Sequence, residues 1–258
     1  MFSNLNLKSK WSVIIPTLWK SDFILRLIEG LVANPYVYEI IIIDNNPKSR
    51  LNFDFHSLKI KLFEQEENIY VNPAWNFGVN NSSCENICIC NDDIIFDSGK
   101  LFEIISTKIR LDTIFGCHPY CFNVNNIKHT FKSLKGHAIG EGWGCILFFK
   151  KNNYIPVPDE LKIFYGDNWL ALKIFMNYSF IFPINTKMST SSSSIEFTKQ
   201  TLYDHSTYRS ILSKLEQKII FHSHVSRKYS IKSYLISFCK ILFSRNTLYN
   251  SIYPRKFK

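Results

Sequence analysis

The sequence has few of the features that mark membrane-spanning, secreted or zinc-stabilised proteins. No apolar run approaches the roughly 18 residues of a membrane span, and the polar segment 1–10 is not expected to be a secretory signal. The seven cysteines include no CxxC pair, so we expect reduced, buried thiols in a cytosolic protein. Cys117 and Cys121 flank His118, but no second ligand pair has the spacing that zinc requires. The 46% hydrophobic content over 258 residues predicts a substantial core, in one large domain or one domain with an appendage.

Acidic residues are absent after Glu216, whereas nine lysines and arginines follow it. The net charge of +10 therefore belongs mostly to the C-terminal part. We predict a domain over residues 1–200 and a basic helical extension over residues 201–258. Apolar residues recur at helical spacing within residues 229–244, which is typical of an amphipathic helix on an anionic membrane surface. Membrane contact through residues 226–258 and packing on the body or on a second subunit of a homodimer both remain open, and no nucleic-acid motif accompanies the charge.

Strand-like and helix-like segments alternate over residues 11–115. Buried β-branched runs predict strands, the first of them ending at Pro16. Apolar residues at helical spacing predict helices, the first with Ser21 as its N-cap. This alternation predicts an α/β fold with a doubly wound, mostly parallel sheet flanked by helices. The predicted strands are 11–16, 38–44, 59–63, 85–91, 145–149 and 178–183, the predicted helices are 21–31, 73–79, 101–110, 167–176, 206–220 and 229–244, and 189–194 is a predicted loop.

Polar residues follow several of the predicted strands directly. Pro16-Thr17 ends the first strand, Asp44 ends the second, and Asn91-Asp92-Asp93 follows the apolar run Cys88-Ile89-Cys90. The carboxyl ends of parallel strands share one edge of a sheet, so these residues should converge there. Adjacent carboxylates repel each other, and a hard cation such as Mg²⁺ or Mn²⁺ would relieve that repulsion. The alternative is a solvated turn, because Asn and Asp are common turn residues.

These segments, taken in order, resemble the family 2 type of inverting glycosyltransferases with the GT-A fold. The resemblance covers about residues 11–185. It rests on the order and spacing of the segments, because none of them is specific alone. The segments are Val13-Ile14-Ile15-Pro16-Thr17, Ile41-Ile42-Ile43-Asp44-Asn45-Asn46, Trp75-Asn76-Phe77-Gly78, Asn91-Asp92-Asp93, Pro158-Asp159-Glu160 and Phe164-Tyr165-Gly166-Asp167-Asn168-Trp169-Leu170.

The resemblance implies a role for each of the candidate site residues. Asp93, the last acid of the family's metal-binding motif, would hold Mn²⁺ or Mg²⁺ at the donor diphosphate. Asp167 would be the general base that takes a proton from the acceptor hydroxyl; the alternative is a helix N-cap. The residues implied to contact the nucleotide-sugar are Pro16, Thr17, Asp44, Asn76, Asn91 and Asp92.

The sequence also departs from the family's pattern. Asn91 stands where the metal-binding motif usually begins with Asp. The histidine that many members carry near the metal is missing from residues 187–191, which leaves His205, His222 and His224 as candidates.

The leading interpretation is a metal-dependent inverting glycosyltransferase that uses a nucleotide-sugar, in particular a UDP-sugar. The resemblance implies a glycan or lipid-linked acceptor in surface polysaccharide or lipopolysaccharide synthesis. The enzyme would be cytoplasmic, and it would lie peripherally on the inner face of the plasma membrane if the tail binds lipid. The alternatives are a non-catalytic GT-A-like carbohydrate- or partner-binding module and a sugar nucleotidyltransferase. The second would want a glycine-rich loop after the first strand, and residues 16–20 contain no glycine.

Overall fold

The computed structural model of the chain describes residues 9–52, 57–108, 113–117, 132–133, 144–173, 178–182, 187–188, 195–214 and 216–217. The chain divides into two compact units, Met1–Ser210 and Ile211–Lys258. The predicted loop 189–194 and the predicted helix 229–244 lie outside the described residues, so the basic extension stays a prediction. The strands are β1 (Trp11–Thr17), β2 (Val37–Asp44), β3 (Ile60–Glu64), β4 (Asn86–Cys90), β5 (Ile94–Ile95), β6 (Thr113–Cys117), β7 (Lys132–Ser133), β8 (Ile146–Lys150), β9 (Tyr178–Phe182) and β10 (Lys187–Met188), and the α-helices are α1 (Ile24–Val32), α2 (Val71–Asn80), α3 (Ser98–Lys108), α4 (Gly166–Lys173) and α5 (Ile195–Ile211).

Eight strands form one sheet in the order β3-β2-β1-β4-β8-β6-β9-β7. The first four run parallel, and β6 and β9 share their direction. β8 and β7 run antiparallel to their neighbours. β5 and β10 form a separate antiparallel pair. The predicted α/β fold with a mostly parallel sheet is confirmed, and the antiparallel β8 inside the sheet was not foreseen.

The middle of the sheet is buried on both faces, as its β-branched strands predict. On one face, Trp11, Phe102 and Phe148 meet edge to face with ring centroids 5.2–5.6 Å apart, and α1 and α3 cover this side. On the other face α2 packs closely: a Cβ on Gly78 would lie 2.3 Å from Ile14 Cγ2. Glycine at position 78 therefore lets α2 approach β1, and helices on both faces seal the core.

Several element boundaries differ from the predictions, including those of β1, α1 and α5. β1 continues through Pro16 to Thr17; its pairing with β4 ends at Ile14, so no ladder N–H is needed at Pro16 on that side. Ser21 is not the N-cap of α1, which is Phe23, and the Ser21 hydroxyl instead accepts the Phe23 N–H. Where we predicted a helix over 206–220, α5 already begins at residue 195. Among the described residues, no helix is long and apolar enough to cross a membrane.

Candidate active site

The carboxyl ends of β1, β2 and β4 meet at one edge of the sheet. Thr17 lies opposite Asp44 in the β1–β2 register, and its carbonyl accepts the N–H of Asn45 at 2.9 Å. The Thr17 hydroxyl donates to Asp92 Oδ2 at 2.6 Å. The predicted convergence of the strand ends is therefore present, with Thr17 as the link between the neighbouring strands.

The Asp92 side chain contacts the end of β1 at this edge of the sheet. Burial raises its pKa, although hydrogen bonds from Thr17, from its own N–H and from the Leu18 N–H act in the opposite direction. The carboxylate is thus fixed against the end of β1. It adds negative charge next to Asp93 without being free to move away from it.

Asp93 differs from Asp92 in having a buried carboxylate oxygen that no described residue satisfies. Burial and the neighbouring charge of Asp92 raise its pKa to about 6. Its Oδ1 is buried, and no described residue forms a hydrogen bond with it. Buried polar atoms normally have partners, and a divalent cation would supply one for this oxygen. The residues therefore fit a metal.

The protein supplies few ligands for such a metal. Within the described residues, no group of three or more His, Cys, Asp and Glu could hold an ion. Mg²⁺ commonly binds through one or two carboxylates completed by substrate phosphates and water. Asp93 with a donor diphosphate matches that pattern.

Asp167 lies in the first turn of α4 and is 8% exposed. Its Oδ2 accepts the Gly144 N–H at 3.1 Å, and its Oδ1 accepts the Asn168 N–H at 2.8 Å. A Cβ on Gly144 would lie only 2.9 Å from the Asp167 Cβ. The absence of a side chain at position 144 therefore permits this placement of Asp167.

Cys145 is close enough to both Asp93 and Asp167, which are 74 positions apart in sequence, to be affected by their charges. Burial raises its pKa to about 12, and the charges of Asp93 and then of Asp167 add to the shift. Its carbonyl accepts the Asn91 N–H at 2.9 Å. The dipeptide Gly144–Cys145 thus contacts Asp167 on one side and the Asn91–Asp93 turn on the other, which brings both acids to one place.

A comparison with protein families gives one match. The family described as Glycosyl transferase family 2 matches residues 12–187, a range that contains Asp44, Asp93 and Asp167. The chain belongs to this family. No curated protein sequence matches the chain.

Several solved structures share the fold of this family 2 member at low sequence identity. S. aureus TarS 1–349 in complex with UDP-GlcNAc has a TM-score of 0.56 and 14% identity, covering 96% of this chain and 76% of that one. The mannosyltransferase PcManGT from Pyrobaculum calidifontis, with GDP-Man and Mn²⁺, has a TM-score of 0.53 and 12% identity, covering 94% and 78%. GalNAc-T7 with UDP, GalNAc and Mn²⁺ has a TM-score of 0.56 and 12% identity, covering 95% and 58%. The predicted GT-A fold is confirmed.

Asp44 already has partners in this family 2 chain. It is fully buried, its Oδ1 accepts the Asn46 N–H at 3.0 Å, and its Oδ2 forms an ion pair with Arg50 Nε at 2.7 Å. Arg50 in turn binds Glu64 at 2.6 Å. Asp44 thus stabilises the turn that follows β2, and nucleotide contact by Asp44 stays a prediction.

Asn76 holds the segment before Asp159 to α2. Its Oδ1 accepts the Tyr154 hydroxyl at 2.7 Å and the Val157 N–H at 2.9 Å, and its Nδ2 donates to the Val157 carbonyl at 2.8 Å. Contact of Asn76 with a nucleotide stays a prediction, as does contact of buried Pro16 and of partly buried Asn91. Of the three candidate histidines, His205 is exposed near the Tyr165 ring, and His222 and His224 lie outside the described residues.

Sequence reasoning missed several residues that shape the site. Gly144 is the last residue of a segment, residues 140–144, in which three of five residues are glycine. Gly166 is needed because a Cβ there would lie 2.2 Å from Asn72 Oδ1. Asp204, on α5, binds the segment that precedes Asp167. Glycine next to a candidate acid was the one available signal; nothing in the sequence marks Asp204.

Proposed function

We propose that the chain is a metal-dependent inverting glycosyltransferase that transfers a sugar from a nucleotide-sugar, in particular a UDP-sugar, to an acceptor hydroxyl. One observation carries this proposal: the dipeptide Gly144–Cys145 connects the two acids, because the Gly144 N–H donates to Asp167 and the Cys145 carbonyl accepts the N–H of Asn91, two residues before Asp93. Asp93 has an unsatisfied buried oxygen, whereas both oxygens of Asp167 accept N–H groups. The two acids thus lie near each other in different environments. Such a pair suits the two tasks of the reaction, which are activation of the donor and removal of a proton from the acceptor.

Asp93 would be the protein ligand of Mn²⁺ or Mg²⁺. Such an ion, when bound, neutralises the charge that develops on the diphosphate leaving group. Asp92, held by Thr17, would keep the local potential negative and Asp93 correctly oriented. Asn91, which lacks a charge, would contribute through its backbone bond to Cys145.

Asp167 would be the general base. A carboxylate has several acceptor positions, and one of those of Asp167 would take the proton of an acceptor hydroxyl. The hydrogen bonds from Gly144 and Asn168 fix the orientation of Asp167 before substrate binds, which is the condition for effective proton transfer. Attack by the deprotonated oxygen opposite the leaving diphosphate inverts the anomeric carbon.

Pro16, Thr17, Asp44 and Asn76 would border the nucleotide at the carboxyl edge of β1 and β2. The donors bound in structures of the same fold, UDP-GlcNAc and GDP-Man, support a nucleotide-sugar as the donor class. The acceptor would be a glycan or a lipid-linked saccharide of surface polysaccharide or lipopolysaccharide synthesis. The basic residues within 226–258 would hold the enzyme peripherally at the cytoplasmic face of the membrane.

The proposal is tested by nucleotide release from a panel of sugar nucleotides, with and without Mn²⁺. Asp93→Asn should lose the metal-dependent turnover. Asp167→Asn should lose transfer and keep the thermal stabilisation by nucleotide that reports binding. Asp97→Asn is the matched control, because Asp97 caps α3 through the Lys100 N–H and asparagine caps a helix equally well.

Three results would contradict parts of the proposal. Full turnover in excess chelator would remove the metal, and an active Asp167→Asn variant would remove the base. A wild-type protein that binds nucleotide-sugars but turns none over would favour the non-catalytic module.

A further inference from the structure

Asp204 lies in the middle of α5 and is 0% exposed. Its Oδ2 accepts the N–H groups of Ile163 and Phe164 at 2.8 and 2.9 Å. Its Oδ1 accepts the Lys162 N–H at 3.2 Å and the Gln200 side chain at 2.7 Å. Three successive backbone donors thus converge on one buried carboxylate, an arrangement that holds a chain segment in a single conformation.

The segment that Asp204 holds leads directly to Asp167. Tyr165 follows it and has a φ of 66°, a backbone conformation that residues other than glycine rarely adopt. Gly166 and Asp167 come next and open α4. A strained backbone persists only where its surroundings hold it, so the strain at Tyr165 requires a restraint nearby.

Tyr208 supplies a second restraint from the same face of α5. It lies one helical turn after Asp204, where residues four apart are neighbours. Its ring stacks on Tyr165 with centroids 4.8 Å apart and planes at 16°. The carboxylate holds the residues before Tyr165, and the stacked ring holds Tyr165 itself.

We propose that Asp204 is a positioning residue for catalysis, which fixes the turn at Tyr165 and thereby the carboxylate of Asp167. The inference rests on the proposed function of Asp167 as the base. Helix α5 begins beyond residues 12–187, the range that matches the family. Asp204 and Tyr208 therefore lie in a part of the chain that the family match does not cover.

Glu39 provides a matched control. It is also buried, 2% exposed, and it also accepts four donor groups, from Ser12, Lys61 and the backbone and side chain of Ser83. It lies near the amino end of β2, at the edge of the sheet opposite the candidate site. Glu39→Gln should therefore cost stability of a similar kind without affecting catalysis.

The experiment compares Asp204→Asn with Glu39→Gln and wild type. The substitution replaces one carboxylate oxygen of Asp204 with an NH2 group. This group cannot accept a backbone N–H, so at least one hydrogen bond to the segment is lost and the segment is held less firmly. For Asp204→Asn we expect kcat for donor turnover to fall roughly 10- to 100-fold, as displaced catalytic groups do, with KM for the donor within about twofold. Hydrogen exchange of residues 162–169 should accelerate. Glu39→Gln should keep kcat and the exchange of that segment.

Two further variants separate positioning from general damage. Tyr208→Leu removes the stack and keeps the carboxylate, so it tests the same turn if Asp204→Asn does not fold. In the double variant Asp204→Asn/Tyr165→Gly, glycine adopts positive φ without strain, so the turn persists without its restraint. We expect this variant to regain part of the kcat lost in Asp204→Asn.

The outcomes distinguish the inference from the proposed function. Wild-type kcat and unchanged exchange in Asp204→Asn would overturn the positioning role, as would equal losses of kcat in the Asp204 and Glu39 variants. If wild type turns over no donor, the proposed function fails. Exchange then decides alone whether Asp204 holds the segment: faster exchange in Asp204→Asn supports it, and unchanged exchange refutes it.

Discussion

Gly144→Ala tests whether the position of Asp167 matters for activity. The new Cβ would lie 2.9 Å from Asp167 Cβ and 3.1 Å from its Cγ, whereas ordinary contacts begin at 3.4 Å. Asp167 must therefore retreat by about 0.5 Å. The Gly144 N–H to Oδ2 bond is already 3.1 Å long, so this movement stretches it to the limit of a hydrogen bond. Overpacking of this kind costs about 1–3 kcal/mol of stability.

The effect on activity should exceed the effect on stability. We expect kcat to fall roughly 10- to 100-fold, because a displacement of this size takes Asp167, the proposed base, out of reach of the acceptor hydroxyl. Stabilisation by the nucleotide should persist, because Asp93 and the ends of β1 and β2 are unchanged. Nucleotide release measures the first quantity and thermal unfolding with added UDP measures the second.

The same substitution at Gly30 is the control. Gly30 lies within α1, and a Cβ there meets only Ser98 Oγ, at 3.9 Å. Gly30→Ala should therefore stabilise the helix by about 0.5–1 kcal/mol and leave kcat alone. A double-mutant cycle gives the decisive result: Gly144→Ala added to Asp167→Asn should cause no further loss of kcat. Wild-type kcat in a folded Gly144→Ala variant, or additive losses in the cycle, would refute the reasoning.

Two further predictions concern regions remote from Asp167. Burial raises the pKa of Glu39, but hydrogen bonds from Lys61, Ser12 and Ser83 outweigh it and leave the pKa below 4.5. Its contribution is therefore present above pH 4.5 and is lost as the pH falls through the lowered value. Glu39→Gln should cost about 1–3 kcal/mol near neutral pH, and urea unfolding should show the gap closing in acid; a constant gap would contradict this. The full chain should bind anionic vesicles and not neutral ones. Deleting residues 226–258, which carry eight lysines and arginines, should abolish this binding, because each charge contributes about 1 kcal/mol to it, and nucleotide binding should stay intact. An insoluble product would indicate that the segment packs on the protein instead.

The acids of the site were predictable because sequence pattern and sheet geometry act together. Buried β-branched runs identify parallel strands, and parallel strands bring their carboxyl ends to one edge. Asp44 and Asp92 each follow such a run, so their convergence at Thr17 follows from the fold alone. Asp167 required the family resemblance, because an acid that opens a helix is equally well explained as a cap.

Contacts made by isolated polar residues could not be predicted in this way. Asp204 lies on α5 about 40 positions after the N–H groups that it accepts, and no periodicity records such a pairing. The strain at Tyr165 depends on that pairing, so it too is invisible in sequence. β5 and β10 have only two residues each, too few for a detectable pattern.

The antiparallel direction of β8 explains how Gly144 and Cys145 reach the site. β8 pairs with β4 such that Ile146 lies opposite Cys90, the last residue of β4. An antiparallel strand begins at the edge of the sheet where its neighbour ends. The residues before β8 therefore lie at the carboxyl edge of β4. A parallel strand in the same position would have delivered them to the opposite edge, away from Asp93. The reversal that the sequence pattern did not reveal is thus what places a backbone N–H for Asp167 beside the Asn91–Asp93 turn.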